Sequence, residues 1–130
     1  MVNPPRVLVV EDNAAMLARA TTVLGTDCVV VGAVTDGPAA LQAADALRPD
    51  VIVLDISMPG LSGLDVAFYL RRVGSSAAIV FLTMHEGEEF VLAATAAGGL
   101  GYVVKSRLMF DLLKAVREAN NGRAFVSPRR

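Results

Sequence analysis

Five side chains suited to phosphoryl chemistry each stand at the end of an apolar run. Glu11 and Asp12 follow VLVV, Asp55 follows VIVL, Thr83 follows AIVFL, and Lys105 follows YVV. Glu11, Asp12 and Asp55 converge if the first and third runs are neighbouring strands. Two carboxylates ~4 Å apart at an effective dielectric near 20 repel by roughly 4 kcal/mol, so such a cluster calls for a cation. All-oxygen ligation suits Mg²⁺ or Mn²⁺, and Mg²⁺ keeps several waters and takes oxygens from a phosphoryl group. The Thr83 hydroxyl and the Lys105 ammonium complete a pocket for that group. Asp55 is then placed to act as a nucleophile and form an acyl phosphate. The metal and Lys105 would offset the charge that develops during transfer. Taken singly, each residue is an ordinary loop residue or helix cap. Their joint placement carries the functional reading.

The elements that must position them alternate regularly. Apolar runs at Val7–Val10, Cys28–Val34, Val51–Leu54, Ala78–Leu82 and Tyr102–Val104 predict five strands. The third is aliphatic throughout, as in a strand buried on both faces. Helical spacing fills the intervals. The first helix has Met16, Leu17, Ala20, Val23 and Leu24, with Asp12 or Asn13 as its cap and Gly25 as its stop. Asp36-Gly-Pro38 opens the second, with Leu41, Ala44 and Leu47 inward, and Arg48-Pro49 ends it. Leu64, Phe68 and Leu70 mark a third that stops at Gly74. The fourth runs from about Gly87 through Phe90, Val91 and Ala94 to Gly98-Gly99. The last spans about Met109–Asn120, with Leu112, Leu113 and Val116 inward, and Asn121-Gly122 closes it. Strand alternating with helix predicts parallel βαβ units in a doubly wound sheet. Ligands of such sheets sit beyond the carboxyl ends of the strands, and four of the five predicted strands deliver polar side chains there.

Composition narrows the field. At 130 residues and 13.6 kDa the chain suits one domain with a sizeable core. It is 54% hydrophobic but only 5% aromatic, so Val, Leu, Ile and Ala must fill that core. No apolar stretch approaches the ~20 residues of a membrane helix, and MVNPPR lacks the apolar segment of a secretory signal. A net charge of −1 gives no global basic field for nucleic acid. Cys28 has no partner for an internal disulfide and is expected to be a small buried side chain. The expectation is a cytoplasmic domain with no membrane contact.

The set VVEDN, VLDISMPGLSG, FLTMH and GYVVKS closely resembles the receiver domain of two-component response regulators. The resemblance covers essentially the whole chain. It implies a flavodoxin-like (CheY-like) α/β fold, a five-stranded sheet of order 2-1-3-4-5 flanked by five helices. It also implies that Asp55 accepts a phosphoryl group from a sensor histidine kinase, with Mg²⁺ (or Mn²⁺) held by Glu11, Asp12, Asp55 and the backbone carbonyl of Ser57. Thr83 and Lys105 match the switch hydroxyl and the phosphoryl-contacting lysine. Tyr102 matches the aromatic that changes rotamer on activation, which places the switching surface on the fourth helix, fifth strand and fifth helix. Such a domain is a signalling module rather than an enzyme, although self-catalysed phosphoryl uptake and autodephosphorylation are expected. Ser57 and His85, two residues beyond Asp55 and Thr83, flank the path of the hydrolytic water and are expected to tune phosphoryl lifetime.

LTMHEGEEFVLAATAAGGLGYVVKS and LLKAVREANNGRAFVSP resemble receivers of the LuxR/NarL type, which are joined to a helix-turn-helix. Residues 1–122 are thus expected to form the receiver. Residues 123–130 are expected to be an extended tail or the start of a linker to a DNA-binding output domain outside this chain. DNA would be contacted only through that domain, and a phosphorylation-dependent homodimer is compatible with it. Two positions depart from the common pattern. Ser106 follows Lys105 where many receivers carry proline after a cis peptide, a geometry costing ~2.5–4 kcal/mol more than trans at a non-proline residue. Met84 follows Thr83 where a small residue is frequent.

Rival classes fare worse. A dinucleotide-binding enzyme needs a Gly-rich turn after the first strand, and VVEDNAAM has none. An FMN carrier fails on the same ground. A haloacid-dehalogenase-type phosphatase needs a second Asp two places after the first, where this chain has Ser57. The strongest alternative is a pseudo-receiver or stand-alone interaction module that works without phosphorylation. Such modules usually lack part of the acidic pocket, whereas here every member is kept.

Overall fold

The computed structural model describes residues 3–128. In chain order the elements are β1 (Arg6–Val10), α1 (Ala14–Leu24), β2 (Val29–Val34), α2 (Gly37–Leu47) and β3 (Val51–Asp55). They continue with α3 (Gly63–Arg72), β4 (Ala78–Thr83), α4 (Glu88–Ala96), β5 (Gly101–Val104), α5 (Leu108–Asn120) and β6 (Phe125–Val126). A 3-10 turn, Lys105–Arg107, joins β5 to α5. All strand pairs are parallel and the sheet order is β2-β1-β3-β4-β5-β6. The expected order 2-1-3-4-5 is present, and a sixth, two-residue strand extends it.

Side-chain alternation divides the core into two. Leu8, Val10, Ile52, Leu54, Phe81 and Tyr102 meet the apolar faces of α2, α3 and α4 on one side of the sheet. Val7, Val9, Val51, Val53, Val80, Leu82 and Val103 meet α1 and α5 on the other. The central strand β3 is buried along its whole length, as its aliphatic run predicts. Each fully buried aliphatic side chain there contributes roughly 1.5–3 kcal/mol. Edge strand β2 has β1 as its only neighbouring strand, and its equally apolar residues remain partly exposed. Cys28 is buried.

Local signals explain most boundaries. Asn13, not Asp12, caps α1, with its Oδ1 accepting from the Met16 N–H at 2.9 Å. Asp36 caps α2 ahead of Pro38. Ser62 and Asp65 form a reciprocal capping box on α3. One expected inward residue is misplaced by sequence: Phe68 is exposed, because Val66, Ala67 and Leu70 supply the buried stripe of α3. After α5 the chain reverses at Gly122, whose φ of 76° falls in the left-handed region that glycine adopts without strain. It then runs alongside β5 as β6. The expected tail therefore begins as an ordered edge strand, and its last two residues, Arg129 and Arg130, lie outside the described ones. Among the described residues no helix is long and apolar enough to cross a membrane.

Candidate phosphoryl-acceptor site

The parallel order sets β1 between β2 and β3, and β4 between β3 and β5. The carboxyl ends of β1, β3, β4 and β5 thus share one rim, which brings Glu11, Asp12, Asp55, Thr83 and Lys105 together. Glu11, Asp12 and Asp55 each offer a carboxylate oxygen within 4.8 Å of the others. Glu11 and Asp55 are buried, at 0% and 1% exposure, while Asp12 faces solvent. Because Asn13 takes the capping role, the Asp12 carboxylate is left for the rim.

Lys105 closes the group from the β5 side. Its Nζ lies 2.8 Å from Glu11 Oε1 and 3.2 Å from Asp55 Oδ2. The other oxygens are engaged by backbone: Ser57 N–H donates to Asp55 Oδ1 at 3.1 Å, and Asn13 N–H to Glu11 Oε2 at 2.9 Å. Burial, reinforced by the neighbouring Glu11 and Asp12 carboxylates, pushes Asp55 up to about 7 against the pull of Lys105. Asp12 is drawn below its ordinary value by its hydrogen bond with Asp55. Burial works to lower the Lys105 pKa, but the Glu11 and Asp55 carboxylates outweigh it, so the ammonium stays charged.

This donor set fits a hard divalent cation. Glu11 Oε1 is buried with no hydrogen-bond donor aligned on it, since Lys105 approaches it only as an ion-pair partner. An acidic group pushed up to about 7 by burial and by neighbouring carboxylates is relieved when a cation enters.

Around this centre the remaining predicted residues form one connected layer. Thr83 is fully buried, and its Oγ1 accepts from the His85 N–H at 3.1 Å. Tyr102 is buried and its hydroxyl donates to the His85 carbonyl at 2.8 Å. His85 Nε2 lies 3.3 Å from Ser57 Oγ, and its ring stacks on Phe90 of α4 at 4.1 Å between centroids. His85 thereby joins the loops after β3 and β4 to α4. Met84 projects into solvent. No cis peptide occurs among the described residues, so Lys105–Ser106 is trans.

Sequence reasoning passes over three residues. Gly63 lies where α3 abuts β3, and a Cβ there would come within 2.1 Å of the Asp55 carbonyl oxygen. Only glycine allows that approach, and its place just after a Pro-Gly turn and a serine cap was the available signal. Asp111 and Ser127 are the other two. Both are buried and hydrogen-bonded to each other at 2.7 Å. Nothing in their local sequence marks them.

Comparison with known proteins agrees with this geometry. The model of the response regulator receiver domain family matches residues 7–117. The chain belongs to that family. It is 37% identical over 128 residues to the nitrate/nitrite response regulator protein NarP of Escherichia coli K12, covering 97% of this chain and 60% of that one. NarL of the same strain is 32% identical over 126 residues, covering 95% and 58%. This receiver chain thus spans about three-fifths of the length of these relatives. Among solved structures, a LuxR-family two-component response regulator from Aurantimonas sp. SI85-9A1 superposes with a TM-score of 0.91 at 29% identity, covering 97% of this chain and 91% of that one. The receiver domain of the putative response regulator NarL from Mycobacterium tuberculosis gives 0.85 at 31%, covering 94% and 100%. The chain is a receiver domain of the LuxR/NarL type.

Proposed function

We propose that this receiver takes a phosphoryl group onto Asp55 from a sensor histidine kinase and passes the change to a DNA-binding output domain. The observation that carries this is the buried Asp55 carboxylate, held at the end of β3 with Lys105 at 3.2 Å and two further acids beside it. In the transfer an Asp55 carboxylate oxygen attacks phosphorus as the bond to the donor's nitrogen breaks, giving an acyl phosphate. Lys105 follows the transferred oxygens, and the Thr83 hydroxyl donates to one of them. Glu11, Asp12, Asp55 and the Ser57 carbonyl would hold Mg²⁺, which supplies charge neutralisation for the transferred group. Incubation with acetyl phosphate and Mg²⁺ should add one phosphoryl group per chain, and EDTA should abolish it. EDTA-insensitive labelling would sink the metal-assisted reading, and no labelling at all would favour a pseudo-receiver.

Transmission would run through Thr83, His85 and Tyr102 to the α4–β5–α5 face, by biasing two pre-existing conformations. Beryllofluoride with no effect on NMR shifts along that face would count against this route. Residues 123–130 would then lead toward the output domain of a cytoplasmic regulator, with phosphorylation-dependent pairing of two copies as one way to transmit the signal.

Ser57 and His85 should set phosphoryl lifetime rather than uptake. The Phe90 stack and the Ser57 contact hold the imidazole over the rim. His85→Ala should therefore admit water and speed dephosphorylation, while Ser57→Lys alters access from the other side. A change of ~1.4 kcal/mol in the barrier is about tenfold in rate, and that is the expected ceiling for either variant. The check is phosphate loss after donor removal; identical decay in both variants and wild type would show the two positions to be passive.

A further inference from the structure

A buried polar clasp joins the tail to the turn that carries Lys105. Strand β6 pairs with β5, with Gly101 opposite Phe125 and Tyr102 opposite Val126. Just beyond, Ser127 N–H donates to the Tyr102 carbonyl at 2.8 Å. Its hydroxyl accepts from the Val104 N–H at 3.1 Å and donates to Asp111 Oδ2 at 2.7 Å. The Asp111 carboxylate also receives Arg107, at 2.8 Å from Nε to Oδ2 and 3.3 Å from Nη2 to Oδ1. One carboxylate thus holds both flanks of the Lys105–Arg107 turn, Arg107 directly and Val104 through Ser127.

The network is fully satisfied. Ser127 is 2% exposed and Asp111 5%. Burial would raise the Asp111 carboxyl, but Arg107 and Ser127 outweigh it and keep it below its ordinary value, hence charged. Removing the serine hydroxyl would orphan the buried Val104 N–H and leave Asp111 Oδ2 with Arg107 Nε as its remaining donor, so one substitution breaks two bonds of the network. Residue 106 is serine, so no proline ring fixes φ inside the turn. The bonds from Arg107 and Ser127 to Asp111 therefore add a restraint on the turn beyond its own Leu108 N–H to Lys105 carbonyl bond.

The geometry points to Ser127 and Asp111 as positioning residues for Lys105, so that docking of the tail strand and phosphoryl uptake at Asp55 are thermodynamically coupled. This rests on the assignment of Lys105 as the phosphoryl-contacting lysine. Coupling is reciprocal: what steadies the Lys105 turn around a phosphoryl group must also tighten the tail. A segment leading toward an output domain would then read the state of the site directly, through β6.

The test compares wild type, Ser127→Ala, Ser127→Thr and Lys105→Ala in the full 130-residue chain. Ser127→Ala should slow labelling by acetyl phosphate and weaken Mg²⁺-beryllofluoride binding by about five- to tenfold, within the usual range of coupling between sites. Exchange of the Val104 amide hydrogen should accelerate in the same variant, and Ser127→Thr, which keeps the hydroxyl, should recover most of both effects. In wild type, Mg²⁺-beryllofluoride should slow exchange at the Ser127 amide. Arg107→Gln, which removes a partly exposed partner and leaves the buried pair intact, should move labelling in the same direction if Ser127→Ala fails to fold. Labelling and beryllofluoride binding unchanged in both Ser127→Ala and Arg107→Gln would overturn the proposal, even if the melting temperature fell. Wild-type labelling in Lys105→Ala would instead overturn the assignment of Lys105, and the clasp's role with it.

Discussion

Asp55→Asn should reduce labelling by acetyl phosphate to the level seen without donor, while leaving a folded protein. The chemical part is direct. An amide oxygen is a far weaker nucleophile than a carboxylate, and no other carboxylate on the rim has the same surroundings. Glu11 is engaged by Asn13 N–H and faces Lys105 at 2.8 Å, and Asp12 sits at the solvent edge. The structural part makes the control informative. Asn is nearly isosteric, retains an oxygen for the Ser57 N–H, and takes one of three mutually repelling carboxylates out of the cluster. Lys105 keeps its ion pair with Glu11. The metal-free variant should therefore melt no lower than wild type at pH 8, so lost labelling could not be ascribed to unfolding. Labelling retained at the wild-type level, located by peptide mapping to another residue, would remove Asp55 from the chemistry.

Much of this site was legible because the backbone leaves little choice. An aliphatic run ending in Asp55 can only be a central strand whose last residue emerges at the rim, and the parallel order follows from helices separating every pair of strands. Where two residues compete for one role, sequence alone does not decide. Asp12 and Asn13 are equally good caps by type; folding gives the neutral amide to α1 and leaves the charged group to the acidic cluster. Hydrophobicity also misleads when it ignores angle. Phe68 is four residues from Leu64, yet the inward stripe of α3 runs through Val66, Ala67 and Leu70, and Phe68 falls outside it. The tail was least readable. A two-residue strand carries no periodicity, and β6 exists because β5 presents a free edge to which Phe125 and Val126 add. Asp111 and Ser127 lie 16 residues apart and meet only once that edge is covered.

Acid should stabilise the metal-free protein, and saturating Mg²⁺ should abolish that dependence. The Asp55 carboxyl moves from an ordinary 3.8 up to about 7 on folding, because burial and the Glu11 and Asp12 carboxylates oppose its charge. Between those values the folded chain holds a proton that the unfolded chain has released. The native state therefore binds more protons, and stability falls as pH rises through this window, levelling off above about 7. A shift of about three units corresponds to at most about 4 kcal/mol. Asp12 acts in the opposite direction, since its folded pKa is lowered, but its contribution is lost only as pH falls below the ordinary 3.8, outside this window. The measurement is urea unfolding in EDTA from pH 5 to pH 8 for wild type and Asp55→Asn. Other groups that titrate in this range are common to both chains and cancel in the difference. Wild type should lose roughly 2–3 kcal/mol relative to the variant between pH 5 and pH 8, with a slope no steeper than about 1.4 kcal/mol per unit. Bound Mg²⁺ requires the ionised carboxylate, so its apparent affinity should climb about tenfold per pH unit and plateau near pH 7. In saturating Mg²⁺ the metal-linked stabilisation of wild type rises over the same interval by as much as the metal-free protein weakens, so stability should be nearly flat from pH 5 to pH 8. A difference between wild type and Asp55→Asn that is flat from pH 5 to pH 8 in EDTA would mean that Asp55 is charged throughout. The Mg²⁺ affinity would then be flat too, and Lys105, at 3.2 Å, would have to outweigh both burial and the neighbouring acids.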